Sequence, residues 1–237
     1  MKTAIVTGAS KGVGHATVKL LSESGYRVIA VSRNIENISK LVSDHVEVYQ
    51  LDITQPNAIK EFYEKYKDIT LDLLVNNAGD CLMSEFPEIP REEFELQMSV
   101  NFSSAFYCSQ FAVKSMLKRP GIKKIVNISS NGAYNFDVFD PPHYRASKAA
   151  LDTLTKDLAR RYAKAGISVN SIAPAMTQTP LFDVLSKEVL YKAISQMPRG
   201  SAMKPEEIAA WVGFLVSPAG DVSSGNVIIL NQGRDVR

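Results

Sequence analysis

Tyr144 and Lys148 stand four residues apart in Tyr-Arg-Ala-Ser-Lys, so a helix here would put a phenol and an ammonium on one face. A tyrosine ordinarily titrates near 10, and making it an acid–base group at neutral pH takes a drop of about three units, roughly 4 kcal/mol. A neighbouring cation supplies charge of the right sign. The spacing by itself is unspecific, because Tyr63 and Lys67 repeat it inside an amphipathic stretch that reads as structural. Tyr144 differs in its setting: it lies downstream of an apolar run ending in Ile128-Ser129-Ser130 and ahead of a helix expected to start near Ser147.

A second candidate lies near the N-terminus, where Thr7-Gly8-Ala9-Ser10-Lys11-Gly12-Val13-Gly14 supports two incompatible readings. Gly8 to Gly12 fit the G-x-S-x-G turn that presents a hydrolase serine, and a triad of Ser10, Asp137 or Asp140, and His143 has the right chain order. That architecture needs an oxyanion donor from an earlier strand and loop, and seven residues leave no room for them. Alternatively, a glycine turn between a first strand and a first helix lets backbone approach a pyrophosphate, whose charge the helix N-terminus favours. The glycines follow G-x-x-x-G-x-G rather than the common G-x-G-x-x-G, so the turn is weak evidence on its own.

These residues need a frame, and the chain has the substance for one. It has 237 residues, 45% hydrophobic and 22% charged, enough for a large core in a single domain spanning 1–237. Short apolar runs alternate with helical spacing from end to end: Ala4–Val6, Val28–Val31, Val46–Val48, Leu73–Val75, Ile125–Ile128, Ser168–Asn170 and Val227–Leu230. Nearly unbroken apolar strands are those buried on both faces. The expected fold is therefore α/β: a Rossmann-type, doubly wound, mostly parallel seven-stranded sheet with helices on both faces. Net charge is +2, too small for the one-sided field of a nucleic-acid binder. Cys81 and Cys108 have neither metal-ligand nor disulfide-framework spacing, so no metal is expected. With no export signal and no run of membrane-spanning length, the reading is a cytoplasmic protein that engages neither membrane nor nucleic acid.

Taken in order, the motifs resemble the short-chain dehydrogenase/reductase family over essentially the whole chain. They are Thr7 to Gly14, Asp52 in Leu-Asp-Ile-Thr, Asn76-Asn77-Ala78-Gly79, Ser99-Val100-Asn101, Ser129-Ser130, and Tyr144 with Lys148. The resemblance implies catalysis by Asn101, Ser130, Tyr144 and Lys148. Tyr144 would be the general acid–base for a carbonyl and its alcohol. Lys148, helped by an oxidised nicotinamide, would lower the tyrosine's pKa and hold the ribose hydroxyls. Ser130, rather than Ser129, would hydrogen-bond the reacting oxygen. Asn101 would hold a water that relays protons to the lysine; the plainer alternative is a polar group satisfying backbone where a long helix kinks.

The same resemblance assigns cofactor contacts to Gly8, Ser10, Lys11, Gly12, Val13, Gly14, Arg33, Asp52, Ile53, Asn76, Ala78, Gly79, Tyr144, Lys148, Pro174, Thr177 and Thr179. An acid after the second strand suits the ribose hydroxyl of NAD, and a cation suits the extra phosphate of NADP. Here Ser32-Arg33-Asn34 follows the strand and Lys11 sits in the glycine loop, so NADP(H) is preferred, with NAD(H) as the alternative. Two departures stand out. The family's usual Pro-Gly is Pro174-Ala175, where alanine lacks glycine's freedom at positive φ and a different loop path is expected; Asn231-Gln232-Gly233 replaces a frequent Asp-Gly-Gly.

Substrate clues are thinner. The stretch Leu181 to Met197 reads as a mobile helical lid. Tyr134, Phe136, Val138 and Phe139 form either an apolar wall or internal packing of their own loop. His143 is expected to have a supporting or surface role. Lys118-Arg119-Pro120-Gly121-Ile122-Lys123-Lys124 is either a solvated helix end or a docking patch for an acidic carrier of a 3-oxoacyl thioester, a substrate suggested by the general likeness to 3-oxoacyl-carrier-protein reductases. Small diketones, sugars, polyols, steroids and quinones are the alternative substrates. Surplus apolar residues on Phe94–Leu117 and Ala149–Ala163 suggest a homodimer or homotetramer. From another functional class comes a non-catalytic dinucleotide-binding regulator, but an idle site has no physical need for Asn101, Ser130, Tyr144 and Lys148 together.

Overall fold

The computed structural model describes residues 1–136, 140–180, 182 and 186–235. Seven strands run β1 (Thr3–Thr7), β2 (Arg27–Ser32), β3 (Val46–Gln50), β4 (Leu73–Asn76), β5 (Lys123–Ile128), β6 (Ile167–Pro174) and β7 (Val227–Leu230). They form one sheet in the order β3-β2-β1-β4-β5-β6-β7, with every pairing parallel. Parallel neighbours require crossovers, which the helices supply: α1 (Gly12–Glu23), α2 (Glu36–Ser39), α3 (Pro56–Lys65), α4 (Arg91–Met98), α5 (Ser104–Met116), α6 (Pro142–Tyr162), α7 (Lys187–Ser195) and α8 (Pro205–Val216).

Strand alternation distributes the core over two faces. Ala4 and Val6 of β1 pack with Val18 and Leu21 of α1 and Ile208 and Val212 of α8, whereas Ile5 between them packs with Ile59 and Phe62 of α3 and Met116 of α5. The reversal of strand order falls between β1 and β4, and the carboxyl ends of these strands open the crevice in which such folds bind ligands.

Several expectations are refined here. The helix carrying the Tyr-x-x-x-Lys pair begins at Pro142 rather than near Ser147, because a proline fits the first turn and Pro141 caps it in extended conformation. Tyr144 is therefore itself helical. The run Phe94–Leu117 is interrupted by a π-helical turn at Ser99–Ser103, which carries Asn101. Ala175 has ordinary negative φ, since Gln232 is the non-glycine residue with positive φ among the described residues. Its amide extends the sheet by donating to Leu230 O at 2.8 Å, so the residue is not asked for glycine's freedom at positive φ. Gln232, at φ 59°, is held there by its side chain, which accepts from Arg199 N at 3.1 Å and donates to Ser201 O at 3.1 Å.

Of the cationic run, Arg119, Lys123 and Lys124 are engaged within the chain, and Lys118 is exposed. Lys123 is fully buried and donates to Ala165 O at 3.3 Å, Lys124 donates to Leu215 O and Ser217 O and pairs with Asp221 at 2.5 Å, and Arg119 pairs with Asp72. These cations clamp the amino end of β5, opposite the crevice.

Candidate active site

The glycine loop is shaped by close approach. Gly8 has φ +64°, and a Cβ there would lie 2.7 Å from Ala78 Cα, so only glycine lets the β1–α1 turn press against the turn after β4. Thr7 and Asn77 lock the two turns together. Thr7 Oγ1 accepts from Asn77 N and Ala78 N, each at 3.0 Å, while Asn77 Nδ2 donates to Thr7 O and Gly8 O, also at 3.0 Å. Lys11 caps α1 in extended conformation with no side-chain hydrogen bond among the described residues, which leaves the first-turn amides facing the cleft.

A cleft of about 490 Å³ runs along the carboxyl edge of the sheet. Of the sequence-derived candidates, Gly8, Ser10, Lys11, Gly12, Val13, Arg33, Ile53, Ala78, Gly79, Ser130, Tyr144, Lys148, Pro174, Thr177 and Thr179 line it. Gly14, Asp52, Asn76 and Asn101 do not line it. A Cβ on Gly14 would run into the Gly8 carbonyl, so its role is packing. Exposed Asp52 accepts from Thr54 N and Thr54 Oγ1 in a local turn. Asn76 points into the interior, donating to Ser109 Oγ at 3.0 Å and Asn127 Oδ1 at 2.8 Å. Thr7 and Asn77, which fasten the loop, stand in the two motifs but carry no site role in the sequence reading; the signal available was the pairing of a hydroxyl ending β1 with an amide just beyond β4.

The reactive end converges at the first turns of α6. Ser130 Oγ accepts from Gly132 N at 3.0 Å and lines the same end of the cleft as Tyr144, where it favours the phenolate. Lys148 is buried and donates from Nζ to Ile128 O at 2.9 Å. A Cβ at Gly79 would stand 3.2 Å from both Lys148 Nζ and Asn101 Oδ1, so the bare Gly79 lets the ammonium and the amide share one corner. Asn101 accepts from Asp80 N at 2.9 Å and donates to Asp80 O at 3.0 Å and Ser147 Oγ at 2.9 Å, tying the π-helical turn to α6. Its amide thus satisfies backbone beside the helical irregularity.

In the protein alone, burial pushes the Tyr144 phenol well up, with Asp140 and Cys81 adding to the rise while Ser130 and Arg145 pull down. Burial pushes Lys148 down to about 8, against Asp152 and Cys81, which favour its charge. Both groups are therefore poised against their charged forms by loss of water. An additional positive charge arriving near Tyr144 would act on the phenol in a low-dielectric setting.

Neighbouring candidates sort differently. His143 is buried with Nε2 3.2 Å from Glu93 Oε1, and Glu93 also accepts from Ser84 Oγ at 2.6 Å, so the imidazole braces α4 and the preceding loop. It does not line the cleft on which Ser10 lies, and Asp137 lies outside the described residues. Tyr134 turns inward to Asp152, and Phe136 is 80% exposed under Arg145, so neither forms the apolar wall; Val138 and Phe139 lie outside the described residues. In the lid stretch, Leu181, Asp183, Val184 and Leu185 also lie outside them, while Phe182 and Ala193 line the cleft. At the far end Ser32, Arg33, Asn34 and Asn37 form the lining, with no carboxylate contributed by this segment.

Comparison with known proteins agrees with this architecture. The family model described as Enoyl-(Acyl carrier protein) reductase matches residues 8–235. The 3-oxoacyl-[acyl-carrier-protein] reductase of Thermotoga maritima is 34% identical, covering 98% of this chain and 97% of its own. The 2-dehydro-3-deoxy-D-gluconate 5-dehydrogenase of Bacillus subtilis is 32% identical, covering 98% and 94%. Among solved structures, a 4-hydroxyisoleucine dehydrogenase complexed with NADH superposes with a TM-score of 0.92 at 28% identity, covering 99% of this chain and 98% of that one. The fold and site define a Rossmann-type oxidoreductase. The chain belongs to the short-chain dehydrogenase/reductase family.

Proposed function

We propose that the protein is an NADP(H)-dependent oxidoreductase that interconverts a carbonyl and a secondary alcohol, with Tyr144 as general acid–base. The observation that carries this reading is the convergence of Ser130, Tyr144 and buried Lys148, whose Nζ lies 6.0 Å from the centre of the Tyr144 ring, at one end of a cleft whose other end is the glycine loop. The cleft suits a dinucleotide because Gly8 and Gly12, at φ +64° and +55°, leave bare backbone facing it beside open helix amides. When bound, the nicotinamide supplies or accepts the hydride. The protein's part is the proton and the oxygen: Ser130 donates to the reacting oxygen, Tyr144 delivers or removes its proton, and Lys148 supplies the charge that eases phenol ionisation. Asn101 keeps the loop at Asp80 against α6 and so fixes the corner that Lys148 occupies.

Lys11 and Arg33, both exposed on the cleft, support NADP(H), and the absence of a carboxylate from Ser32–Asn37 in the lining argues in the same direction. NAD(H) is the alternative, favoured by the NADH complex of the structural neighbour. A 3-oxoacyl thioester heads the substrates through the likeness to the Thermotoga maritima reductase, and a sugar-type keto acid follows from the Bacillus subtilis one. A homo-oligomer is also proposed, because Phe94, Phe106, Trp211 and Phe214 leave 40–48% of their surface in water. The deciding experiment is NADPH and NADH consumption, in parallel, against an acetoacetyl thioester, a diketone, a quinone and a keto sugar acid. Thioester turnover with NADPH supports the leading reading. Turnover of another carbonyl moves the substrate class. If neither reduction nor oxidation of the matching alcohols occurs while dinucleotide binds, the chain is a non-catalytic regulator.

A further inference from the structure

Helix α6 buries a polar row against the sheet: Ser147, Lys148, Asp152 and Thr155 all lie on its covered face. Lys148 has a place in the proposed chemistry, but Asp152 does not, and it is 2% exposed. A carboxylate so deeply buried is costly unless other groups support its charge. Tyr134 supports it by donating to Asp152 Oδ2 at 2.9 Å; burial holds the carboxyl above its ordinary value, and Ser171, Ser129, Tyr134 and the Lys148 charge pull it back towards the charged form. Ser129 Oγ also donates to Lys148 O at 3.4 Å. The second oxygen, Asp152 Oδ1, one helical turn beyond the lysine, is buried without a hydrogen-bond partner among the described residues.

We propose that Asp152 is a positioning residue that keeps Lys148 charged and seated beside Tyr144, acting through Lys148 without touching the substrate. This rests on the proposed reductase function for its consequence, but not for the electrostatic coupling across one turn of the buried helix face. The geometry suits the task. Lys148 Nζ is anchored by Ile128 O, a neutral acceptor, so that bond fixes the ammonium's place without adding opposite charge. The titratable groups around Lys148 are Tyr144 and Asp152 on its own helix and Cys81 on the loop after β4; Asp80, Asp140 and Arg145 stand around Cys81 in turn. Cys81 is itself held neutral by burial, which leaves Asp152 as the opposite charge on the same buried face of α6.

The test is a direct titration of Lys148 in the full-length protein without dinucleotide, using NMR of lysine labelled with carbon-13 at Cε and Lys148→Arg for assignment. In Asp152→Asn the Lys148 midpoint is expected to fall by about one unit or more, a tenfold change in proton affinity, and Asp152→Glu is expected to restore most of it. An unmoved midpoint overturns the proposal, as it would if Asp152 were a neutral acid that asparagine replaces without loss. Should Asp152→Asn not fold, Lys148→Met gives the reciprocal reading: the Asp152 carboxyl midpoint must rise, because coupling between two sites is mutual. A carboxyl that titrates identically in that variant also overturns it. Activity separates this proposal from the function. On any carbonyl the wild type reduces, Asp152→Asn should lose more kcat at pH 8 than at pH 6.5, whereas equal loss at both would mean a merely structural acid. A shifted lysine midpoint in a chain that reduces no carbonyl sinks the reductase reading and leaves the pair standing.

Discussion

Lys148 carries a stability cost that pH should reveal. Burial lowers its pKa from 10.5 to about 8, so between those values the unfolded chain binds more protons than the native one at this site. For a depressed lysine the sign is that stability rises with pH, the gain beginning near pH 8 and ending near the unfolded value. Integrating proton binding from pH 7 to 9.5 gives about 1.4 pH units of free energy, or roughly 2 kcal/mol. The perturbation is Lys148→Met, which keeps the stem and removes the charge. Urea unfolding of wild type and variant, without dinucleotide, at several pH values between 7 and 9.5 yields two curves whose other titrations largely cancel. The difference between wild type and variant should change in favour of the wild type by about 2 kcal/mol over that range. Parallel curves would refute the reasoning, since the ammonium would then be as well solvated in the fold as in the unfolded chain.

Other perturbations follow from the same geometry. Tyr144→Phe should abolish turnover while dinucleotide affinity, read by fluorescence titration, stays within about threefold, and Ser130→Ala should lower kcat by about a hundredfold or more through loss of a donor to the reacting oxygen. Gly14→Ala should destabilise by about 1–3 kcal/mol despite alanine's better helix propensity, because its Cβ would press on the Gly8 carbonyl, with Gly8 C at 2.9 Å; thermal unfolding with an unchanged or higher midpoint would contradict this. Replacing Lys11 and Arg33 by alanine should raise the KM for NADPH about tenfold or more with little change for NADH; equal changes for both would remove the NADP(H) preference.

The sequence by itself determined the order of β and α elements, because a strand buried on both faces must be apolar throughout and a parallel neighbour must be reached through a crossover. It also marked the chemistry-bearing residues through local spacing: Tyr144 with Lys148, the glycines of the first turn, and the serines ending β5. What required tertiary structure was everything that depends on partners far along the chain. The exchange of roles between Asn76 and Asn77 is one case, since the first faces Ser109 and Asn127 and the second seizes the glycine loop some seventy residues away. The fate of Lys123 and Lys124 is another: their run reads as solvated charge, yet both are buried at the start of β5, where carbonyls of other elements receive them. Asp152 is a third. Its spacing of four from Lys148 was visible, but whether an acid on a helix is solvated or serves as a buried counter-charge depends on what covers that face, and here Tyr134 arrives from the loop after β5 to bond it while the sheet excludes water. Spacing fixes which side chains share a face; only packing decides how much water is left there, and with it the strength of every charge in the site.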